Sequence, residues 1–390
     1  MKLAVTEDRL SRHSAESLSF MDTEDMLRLK VKLLTAGARL PEGVSSGRRG
    51  GAGPVRGRYF VLPSGRSCGI PIRRGAEAER FGSAPLEPTE DPTIWLYDSS
   101  VELRMIEKPD FLGLTTEDGL PYSQIALLHC TDCLATTVYQ SCRYWDEGTQ
   151  CAFCTIPTSL EGGDTILDKS PSHIAEVVDS AEKRGIIRHV LLTTGTPEGE
   201  DMGTTRMVNI IREIRKSSEI PIGVQFEAPH DISLIDEVVQ AGASAIGIHI
   251  ESADEAVREK MCPGKHQHAS RDLYIRAWKH AVGLLGRGNV STFLLHGLGE
   301  DTQLTMNFID EIAEIGVMPI LAPVRPAPGS HLANYIPSYV GDLDGSLRTY
   351  KNLGNALYKW GLNPDSSVAG CQSCGGCTPI HEAYDWAASL

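Results

Sequence analysis

The chain has 390 residues, which is enough for one large α/β domain with additions. Its formal net charge of -14 at pH 7 argues against a nucleic-acid partner, since a negative field repels phosphate backbones, and favours a small-molecule substrate. Residues 1–10 are polar and no stretch is apolar over the length of a bilayer, so we expect a cytoplasmic protein with no membrane partner.

The first 128 residues are predicted to form a separate, partly β N-terminal domain. A helix is predicted from Thr23 to Ala36, with Asp22 or Thr23 as its N-cap. The Gly-, Ser- and Arg-rich stretch 43–57 is interpreted as a mobile loop or lid, because an anion cradle needs a strand before it and a helix after it. Short strands are predicted at 59–62, 93–97 and 101–106.

From residue 125 onward, β-branched apolar runs alternate with amphipathic helical patterns, which is typical of a parallel α/β sheet or barrel. Six strands are predicted, at 134–139, 189–194, 222–226, 245–250, 290–295 and 318–324. Helices with recognisable ends lie between them, such as one that Ser170 and Pro171 open and Gly185 closes. The pattern predicts an α/β barrel over residues 129–330.

Ten cysteines are present, and in a reducing compartment clustered cysteines indicate metal binding or catalysis rather than disulfides. Eight of them fall into three groups, which are Cys130 with Cys133, Cys142 with Cys151 and Cys154, and Cys371 with Cys374 and Cys377. Cys68, in the turn-like SGRSCG, is interpreted as an inert thiol, and Cys262 is left without a role.

The stretch 141–157, SCRYWDEGTQCAFCTIP, places Cys142, Cys151 and Cys154 in a C-x8-C-x2-C pattern directly after the first predicted barrel strand. In α/β barrels the chemistry lies in the loops that follow the strands, so this is the position of an active site. Three thiolates can hold three irons of a cubane iron–sulfur cluster and leave the fourth iron open for a ligand. The alternative from these cysteines alone is a zinc site with a fourth ligand from elsewhere.

With this motif the chain resembles the radical S-adenosylmethionine (radical SAM) enzymes, and in particular their biotin-synthase-like branch. That superfamily usually carries C-x3-C-x2-C after the first barrel strand, with an aromatic residue just before the last cysteine. Phe153 matches the aromatic residue, whereas the gap between Cys142 and Cys151 departs from the usual three residues. The nearest resemblance is to uncharacterised radical SAM proteins of nitrilase-containing gene clusters. It implies a partial (β/α)6 TIM-type barrel.

The resemblance also implies where S-adenosylmethionine binds. Thr194, Gly195 and Thr196 follow the second strand, where the superfamily receives the methionine amine, and hydroxyls and carbonyls can accept hydrogen bonds from an ammonium. Glu251, after the fourth strand, is similar to the superfamily's ribose contact. Gly297, in LLHGLGED after the fifth strand, is similar to the segment that supports adenine through backbone groups.

Further polar residues lie at the strand ends. Gln225 and Glu227 can both point into the barrel under strand alternation, which makes Glu227 a candidate cofactor contact, and His249 is expected to share a face with the predicted ribose carboxylate. Lys265 or Arg271 could reach a carboxylate, although a solvated surface charge is the expected role. Taken singly, each such residue is more often a helix cap or a satisfied structural group, so the argument rests on their order and placement.

The C-terminal extension, residues 331–390, contains a predicted helix over 342–360 followed by AGCQSCGGCTP. Cys371, Cys374 and Cys377 form a C-x2-C-x2-C pattern there, and the intervening glycines allow the backbone to fold tightly. The spacing is typical of ferredoxin-type cluster loops and predicts an auxiliary iron–sulfur cluster, with a structural zinc site as the alternative.

A fourth thiolate for this second site is predicted to come from Cys133 or Cys130. On one strand these two residues would face opposite sides, so both can join one site only if the strand begins after Cys130. The alternative is a pair of buried thiols.

The resemblance implies that the chain binds S-adenosylmethionine at a 4Fe–4S cluster and cleaves it reductively to methionine and a 5′-deoxyadenosyl radical, which takes hydrogen from a small-molecule substrate. An electron donor such as flavodoxin or ferredoxin is the implied partner. The tail cluster is expected to accept an electron, bind substrate or donate sulfur, and no catalytic residue is assigned. The alternatives are a non-catalytic iron–sulfur electron carrier and a zinc-stabilised binding module.

Overall fold

The computed structural model describes residues 21–44 and 56–390. Two β-sheets organise them, one with six strands near the N-terminus and one with seven strands that carries the candidate site. The loop or lid predicted over 43–57 lies for the most part outside the described residues. No helix in the described part of the chain combines the length and the apolar character needed to cross a membrane.

The N-terminal sheet has the strand order β1-β4-β5-β6-β2-β3 and packs against helix α1. Its strands are β1 (Ala38–Arg39), β2 (Gly57–Val61), β3 (Ser67–Pro71), β4 (Ala84–Pro88), β5 (Ile94–Tyr97) and β6 (Val101–Met105). The predicted helix is confirmed as α1 (Thr23–Ala36), with Asp22 as the N-cap that accepts a hydrogen bond from the Asp25 backbone N–H. The side chains of α1 that face the sheet, among them Leu33 and Leu34, are fully buried with Phe60 in one apolar core.

The turn predicted in SGRSCG lies at the start of that stretch, where the Gly65 N–H donates to the Leu62 carbonyl, and it does not include Cys68. Cys68 lies on β3, every residue of which is buried. Burial raises the pKa of the Cys68 thiol to about 12, in keeping with an inert thiol. Strands β3 and β4 were not predicted, because both end in proline and β3 contains a glycine, residue types that are depleted in strands.

The second sheet has the order β13-β12-β11-β10-β9-β8-β7, and β8 to β13 are parallel neighbours in chain order. Its strands are β7 (Leu127–His129), β8 (Cys133–Thr137), β9 (His189–Thr193), β10 (Ile222–Gln225), β11 (Ala245–Gly247), β12 (Val290–His296) and β13 (Val317–Pro323). The six predicted barrel strands are therefore confirmed, and the fold is a mixed α/β protein with a curled, nearly closed sheet of the partial TIM-barrel type. The predicted boundary between residues 128 and 129 falls inside β7, which pairs antiparallel with β8 as a hairpin.

Helices cover the outside of this sheet and bury one continuous apolar core against it. After α1, the helices are α2 (Gly75–Phe81), α3 (Tyr122–Ile125), α4 (Arg143–Asp146), α5 (Ile156–Glu161), α6 (Pro171–Lys183), α7 (Thr204–Ile214), α8 (Ser233–Gln240), α9 (Glu255–Met261), α10 (Pro263–His268), α11 (Arg271–Leu285), α12 (Thr302–Ile315), α13 (Leu343–Lys359), α14 (Cys371–Cys374) and α15 (Ile380–Ala388). Short 3-10 helices lie at Asp110–Gly113 and Pro364–Ser366. As predicted, Ser170 caps α6, and its hydroxyl accepts a hydrogen bond from the His173 backbone N–H.

The C-terminal extension folds back onto both sheets. Helices α13 and α15 pack on each other and on α1, where Lys30 and Glu382 form an ion pair of 2.9 Å between fully buried side chains. Between these helices, the Thr378 hydroxyl donates to the Leu321 carbonyl on β13, and the Gly69 backbone N–H on β3 donates to the Gly376 carbonyl. The loop that carries the tail cysteines is thus held between the N-terminal sheet and the barrel.

Candidate active site

One cavity of about 450 Å³ connects two of the predicted cysteine groups. Cys154 of the first group lines it together with Phe153, Thr194 and Glu251. The three tail cysteines line it as well. Its lining residues include Cys371, Cys374 and Cys377. The structure therefore brings the two predicted cysteine sites, which are more than 200 residues apart in sequence, to one interior space.

The loop between Cys142 and Cys151 is long because it contains helix α4, for which Cys142 is the N-cap residue. Two backbone hydrogen bonds fix the end of the loop on the segment between α9 and α10. The Ala152 N–H donates to the Met261 carbonyl at 2.7 Å, and the Gly264 N–H donates to the Thr149 carbonyl at 2.9 Å. The extra residues thus form a helical turn that returns the chain to the site.

Several N–H groups point at the sulfurs of this triad. The Cys142 sulfur accepts hydrogen bonds from the backbone N–H groups of Tyr144 and Thr196. The Cys154 sulfur accepts from the Trp145 indole N–H, 3.5 Å away, and from the Ile156 backbone N–H. Donors of this kind stabilise thiolates and tune cluster potentials, so the donor set fits thiolate-ligated iron.

The triad thiols are protonated without a metal. Burial raises the pKa of Cys142, and it raises the pKa of Cys154 to about 11. A hydrogen bond with Cys262 and burial together raise the pKa of Cys151 well above its ordinary value. Because only thiolates bind iron, loading of this site must release protons.

Cys262, left without a role by the sequence, is the neighbour of Cys151. Its side chain is 1% exposed, at the junction of α9 and α10, and shares a hydrogen bond with the Cys151 thiol. No spacing rule predicts this contact, since the two cysteines lie on different strand-to-helix connections.

The three predicted residues after β9 have different contacts. Thr194 lines the cavity, and its hydroxyl donates to the Gly195 carbonyl at 2.6 Å. Gly195 packs so closely on the loop that a Cβ there would lie 1.9 Å from the Ser141 carbonyl oxygen. Thr196 hydrogen-bonds to Cys142 instead of facing the cavity. The glycine is therefore required for close approach of the two connections.

Glu227, Glu251 and Lys265 form a buried ionic group below the cavity. The Lys265 ammonium lies 2.6 Å from Glu251 Oε1 and 3.4 Å from Glu227 Oε2, and the Tyr274 hydroxyl donates to Glu227. The expectation that Lys265 is a solvated surface charge is wrong, because the carboxylates of two strand ends converge on it. Burial lowers the pKa of Lys265, but these two carboxylates outweigh it and hold the pKa well above its usual value. Arg271 does form a half-exposed pair, with Glu311.

The predicted strand parity of His249 and Glu251 is also wrong, because β11 ends at Gly247. The His249 imidazole Nδ1 accepts the Phe293 backbone N–H at 3.1 Å, which interrupts the β11–β12 ladder. Glu251 then adopts a left-handed backbone with φ of 70° and rejoins β12 in an isolated bridge to Leu294. This irregular turn, rather than strand alternation, places the Glu251 side chain at the cavity.

Gly297 does not line the cavity. Its N–H donates to the Glu300 carboxylate at 2.8 Å, and its carbonyl accepts the Tyr335 hydroxyl at 3.0 Å. A Cβ at this position would lie 2.5 Å from the Tyr339 ring. The backbone N–H and carbonyl of Gly297 therefore already form hydrogen bonds with side chains that follow β12.

At the other end of the cavity, five thiols converge. Cys130 Sγ lies 3.4 Å from Cys374 Sγ, and Cys133 also hydrogen-bonds to Cys374. Cys371 Sγ accepts a hydrogen bond from the Gln225 side-chain amide at 3.1 Å. Cys377 is the fifth thiol of the group, and it lines the cavity together with Cys371 and Cys374.

The hairpin explains why Cys130 and Cys133 meet the same partner. Strand β8 begins at Cys133, and Cys130 lies in the turn before it with a left-handed φ of 54°. The condition that the strand begins after Cys130 is therefore met. Hydrogen bonding with these two thiols holds the pKa of Cys374 well below its ordinary value. Over the described residues, no group of three or more His, Cys, Asp or Glu side chains is already placed to hold a metal ion.

Three polar residues of the cavity lining were given no role from the sequence. Tyr59 comes from β2, His129 from β7, and Arg325 follows β13. Their only sequence signal was a position at or near a strand end, which is shared with many residues that have no part in the site.

Taken together, a parallel α/β barrel with a cysteine triad after its first strand and polar groups at the later strand ends defines an enzyme-type domain with its site at the carboxyl mouth. The family described as the radical SAM superfamily matches residues 148–310. These residues therefore form a radical SAM superfamily domain. The matched range includes Cys151 and Cys154 and begins after Cys142.

Several solved structures are similar to the chain. Methylornithine synthase (PylB) is 17% identical with a TM-score of 0.45, over 58% of this chain and 63% of that one. The FeFe-hydrogenase maturase HydG from Carboxydothermus hydrogenoformans is 16% identical with a TM-score of 0.43, over 61% of this chain and 52% of that one.

A radical SAM methyltransferase from Sphaerobacter thermophilus is 16% identical with a TM-score of 0.42, over 72% of this chain and 77% of that one. The chain thus spans less than two thirds of PylB and HydG. A comparison with curated proteins gave no match.

Proposed function

We propose that this chain is a radical SAM enzyme that acts on a small molecule, with a second iron–sulfur site in its tail. The observation that carries the proposal is the shared cavity, which has Cys154 at one end and the tail cysteines at the other. A substrate in this space is in reach of both sites. We further propose that the chain is related to the biotin-synthase-like branch of the superfamily.

Cys142, Cys151 and Cys154 would hold a 4Fe–4S cluster with one open iron. When bound, this cluster supplies the electron that cleaves S-adenosylmethionine to methionine and a 5′-deoxyadenosyl radical. The chain's own residues orient the cofactor and exclude water. Thr194 offers a hydroxyl at the cavity, and Glu251, held by Lys265, offers the remaining acceptor sites of its carboxylate to ribose hydroxyls.

For the tail site, Cys371, Cys374 and Cys377 with Cys133 or Cys130 supply the thiolates. The convergence of Cys130 and Cys133 on Cys374 supports a ligand from the hairpin, and either one completes a set of four. Such a site would accept an electron from the substrate, bind the substrate or provide sulfur to it. We further propose reduction by flavodoxin or ferredoxin in the cytoplasm, where the ten cysteines stay reduced.

The test is anaerobic reconstitution with iron and sulfide, followed by a dithionite-driven assay for 5′-deoxyadenosine. Four proteins are compared: wild type, Cys154→Ala, the Cys371→Ala/Cys374→Ala double variant, and Cys68→Ala as a control for loss of a buried thiol. We expect product from wild type, Cys68→Ala and the double variant, and none from Cys154→Ala. The double variant should bind less iron than wild type.

Other outcomes assign the chain elsewhere. Iron binding without 5′-deoxyadenosine, with and without candidate substrates, indicates an electron carrier. Binding of zinc alone after reconstitution indicates a zinc-stabilised binding module. Loss of product in the double variant would place the tail site upstream of cofactor cleavage.

A further inference from the structure

The cavity has apolar walls and a polar group at each end. The apolar side chains that line it include Leu191, Phe293, Leu295, Ile320 and Val324. Among the described residues, Glu251 is the one carboxylate in the lining, and its charge is balanced by Lys265. Arg325 is the one guanidinium in the described lining, and no carboxylate of the residues that the structure describes forms an ion pair with it.

Arg325 is fixed in place by two strands from different parts of the chain. Its Nη2 donates to the Gly69 carbonyl on β3 at 2.7 Å, and the Gly69 N–H donates to the Gly376 carbonyl at 2.7 Å. Its Nη1 is buried and has no hydrogen-bond partner among the described residues. Arg325 as a whole is partly exposed, but a buried guanidinium nitrogen without a hydrogen-bond partner is unfavourable, so this position favours an anionic ligand.

Tyr59 supplies a second donor at the same end of the cavity. Its hydroxyl is buried and, within the described residues, has no hydrogen-bond partner. A tyrosine phenol is protonated at neutral pH, so the Tyr59 hydroxyl can donate a hydrogen bond beside the guanidinium.

We propose that Arg325 and Tyr59 bind the carboxylate of a small substrate whose remaining part is apolar. A guanidinium recognises a carboxylate with parallel N–H donors, which fixes orientation as well as affinity. The apolar body would lie along the Phe293 and Ile320 side chains, toward Cys154. This inference rests on the proposed function in taking the cavity as the substrate site, and it adds the substrate class.

The alternative anionic partner for Arg325 is the group of tail thiolates. Burial raises the pKa of Cys377, and the nearby positive charge of Arg325 lowers it by a smaller amount. If Arg325 serves only those thiolates, its removal should change the tail iron site and leave carboxylate binding unaffected. The two assignments therefore predict different results for the same variants.

The test uses the full chain, reconstituted with iron and sulfide and saturated with S-adenosylmethionine. Butyrate and benzoate are titrated by isothermal calorimetry beside their neutral amides. The variants are Arg325→Gln, Arg325→Lys, Tyr59→Phe and Arg348→Gln, the last of which removes an exposed arginine from α13 as a charge-matched control. Iron and sulfide per chain are measured for each protein.

We expect wild type and Arg348→Gln to bind at least one carboxylate about tenfold more tightly than its amide, as a charge-assisted hydrogen bond of about 1.4 kcal/mol provides. Arg325→Gln should abolish that preference with iron content unchanged, Arg325→Lys should keep part of it, and Tyr59→Phe should weaken it.

The inference is overturned if wild type shows no preference for carboxylates. It is equally overturned if Arg325→Gln lowers iron content or alters the cluster spectrum while the preference persists. A preference that depends on Arg325 in a protein that never forms 5′-deoxyadenosine would support the carboxylate site and reject the proposed function, so the two claims fail separately.

Discussion

The side-chain amide of Gln225 donates to the sulfur of Cys371 at 3.1 Å, across 146 residues of sequence. Gln225 is the last residue of β10, in the middle of the barrel sheet, and Cys371 opens the tail helix α14. The contact ties the tail cysteines to the barrel interior and gives one of them a hydrogen bond from a barrel strand.

This contact predicts an effect on the potential of the tail site. An N–H donor stabilises the more negative, reduced form of a sulfur-ligated cluster, so Gln225→Leu should make the reduction potential more negative. The measurement is a redox titration followed by electron paramagnetic resonance in a Cys154→Ala background, where only the tail site is loaded. Gln240→Leu, on the exposed face of α8, is the control. If Gln225→Leu and Gln240→Leu have the same reduction potential, the Gln225 hydrogen bond does not tune the tail site.

A second prediction concerns Gly376. Because glycine has no side chain, the Cys130 sulfur can pack directly against the backbone at this position. A Cβ at this position would lie 2.3 Å from Cys130 Sγ and 3.2 Å from the Tyr59 ring. Gly376→Ala should therefore expel Cys130, reduce tail iron and destabilise the fold by about 1–3 kcal/mol from overpacking.

Gly283→Ala is the control for this substitution, since a Cβ there meets nothing within 4 Å on α11. It should leave iron content unchanged and stabilise the helix by up to about 1 kcal/mol. The measurements are the iron content per chain and the free energy of unfolding in urea, each compared between Gly376→Ala and Gly283→Ala. Normal tail iron in Gly376→Ala would show that Cys130 is not part of the site.

The local elements were predictable, because their signals lie within a few residues. The helix Thr23–Ala36 has its cap and its apolar face in one short window, and the strand at 290–296 gathers β-branched and apolar residues in one short run. Strands β3 and β7 were not predictable in the same way. The first contains glycine and proline, and the second has only three residues and takes its identity from its hairpin partner.

The site was predictable only where a motif marks it. The cysteine triad, Phe153 and Thr194 were found from spacing and strand position, and they line or surround one cavity. The convergence of Tyr59 and Arg325 depends on how the N-terminal sheet and the tail dock on the barrel. No local pattern encodes that docking, because the hydrogen bonds through Gly69 join segments that are hundreds of residues apart.

His249 predicts a pH dependence of stability. Burial lowers its pKa to about 3, with Lys265 adding to the shift, whereas an unfolded histidine titrates near pH 6.5. Between these values the unfolded chain binds a proton that the folded chain does not, so stability falls as pH decreases through the window. The contribution is about 1.4 kcal/mol per pH unit for one proton.

His249→Gln should therefore reduce the slope of unfolding free energy against pH by about one proton between pH 6 and pH 4.5. Urea unfolding of the metal-free protein at several pH values measures the slope. His331→Gln, at an exposed position, is the control and should keep the wild-type slope. A slope unchanged by His249→Gln would show that the imidazole is solvated enough to be protonated in the folded chain.

The buried ion pair between Lys30 on α1 and Glu382 on α15 provides the last prediction. Both side chains are almost fully buried, and they join the N-terminal helix to the helix that follows the tail cysteines. Lys30→Met leaves the Glu382 carboxylate buried without a cation, which should cost about 3–5 kcal/mol. The Lys30→Met/Glu382→Leu double variant should recover much of that loss, because two apolar side chains can replace a buried pair.

Lys32→Met on the same helix is the matched control. Its partner, Asp98, is partly exposed, and pairs of that kind contribute about 0–1 kcal/mol. Urea unfolding of wild type, Lys30→Met, Glu382→Leu and the double variant measures the coupling between Lys30 and Glu382 as a double-mutant cycle. If Lys30→Met costs no more than Lys32→Met, the termini are not joined by this pair in solution. If it costs several kcal/mol and also lowers tail iron, the docking of α15 on α1 sets the position of the tail cysteines.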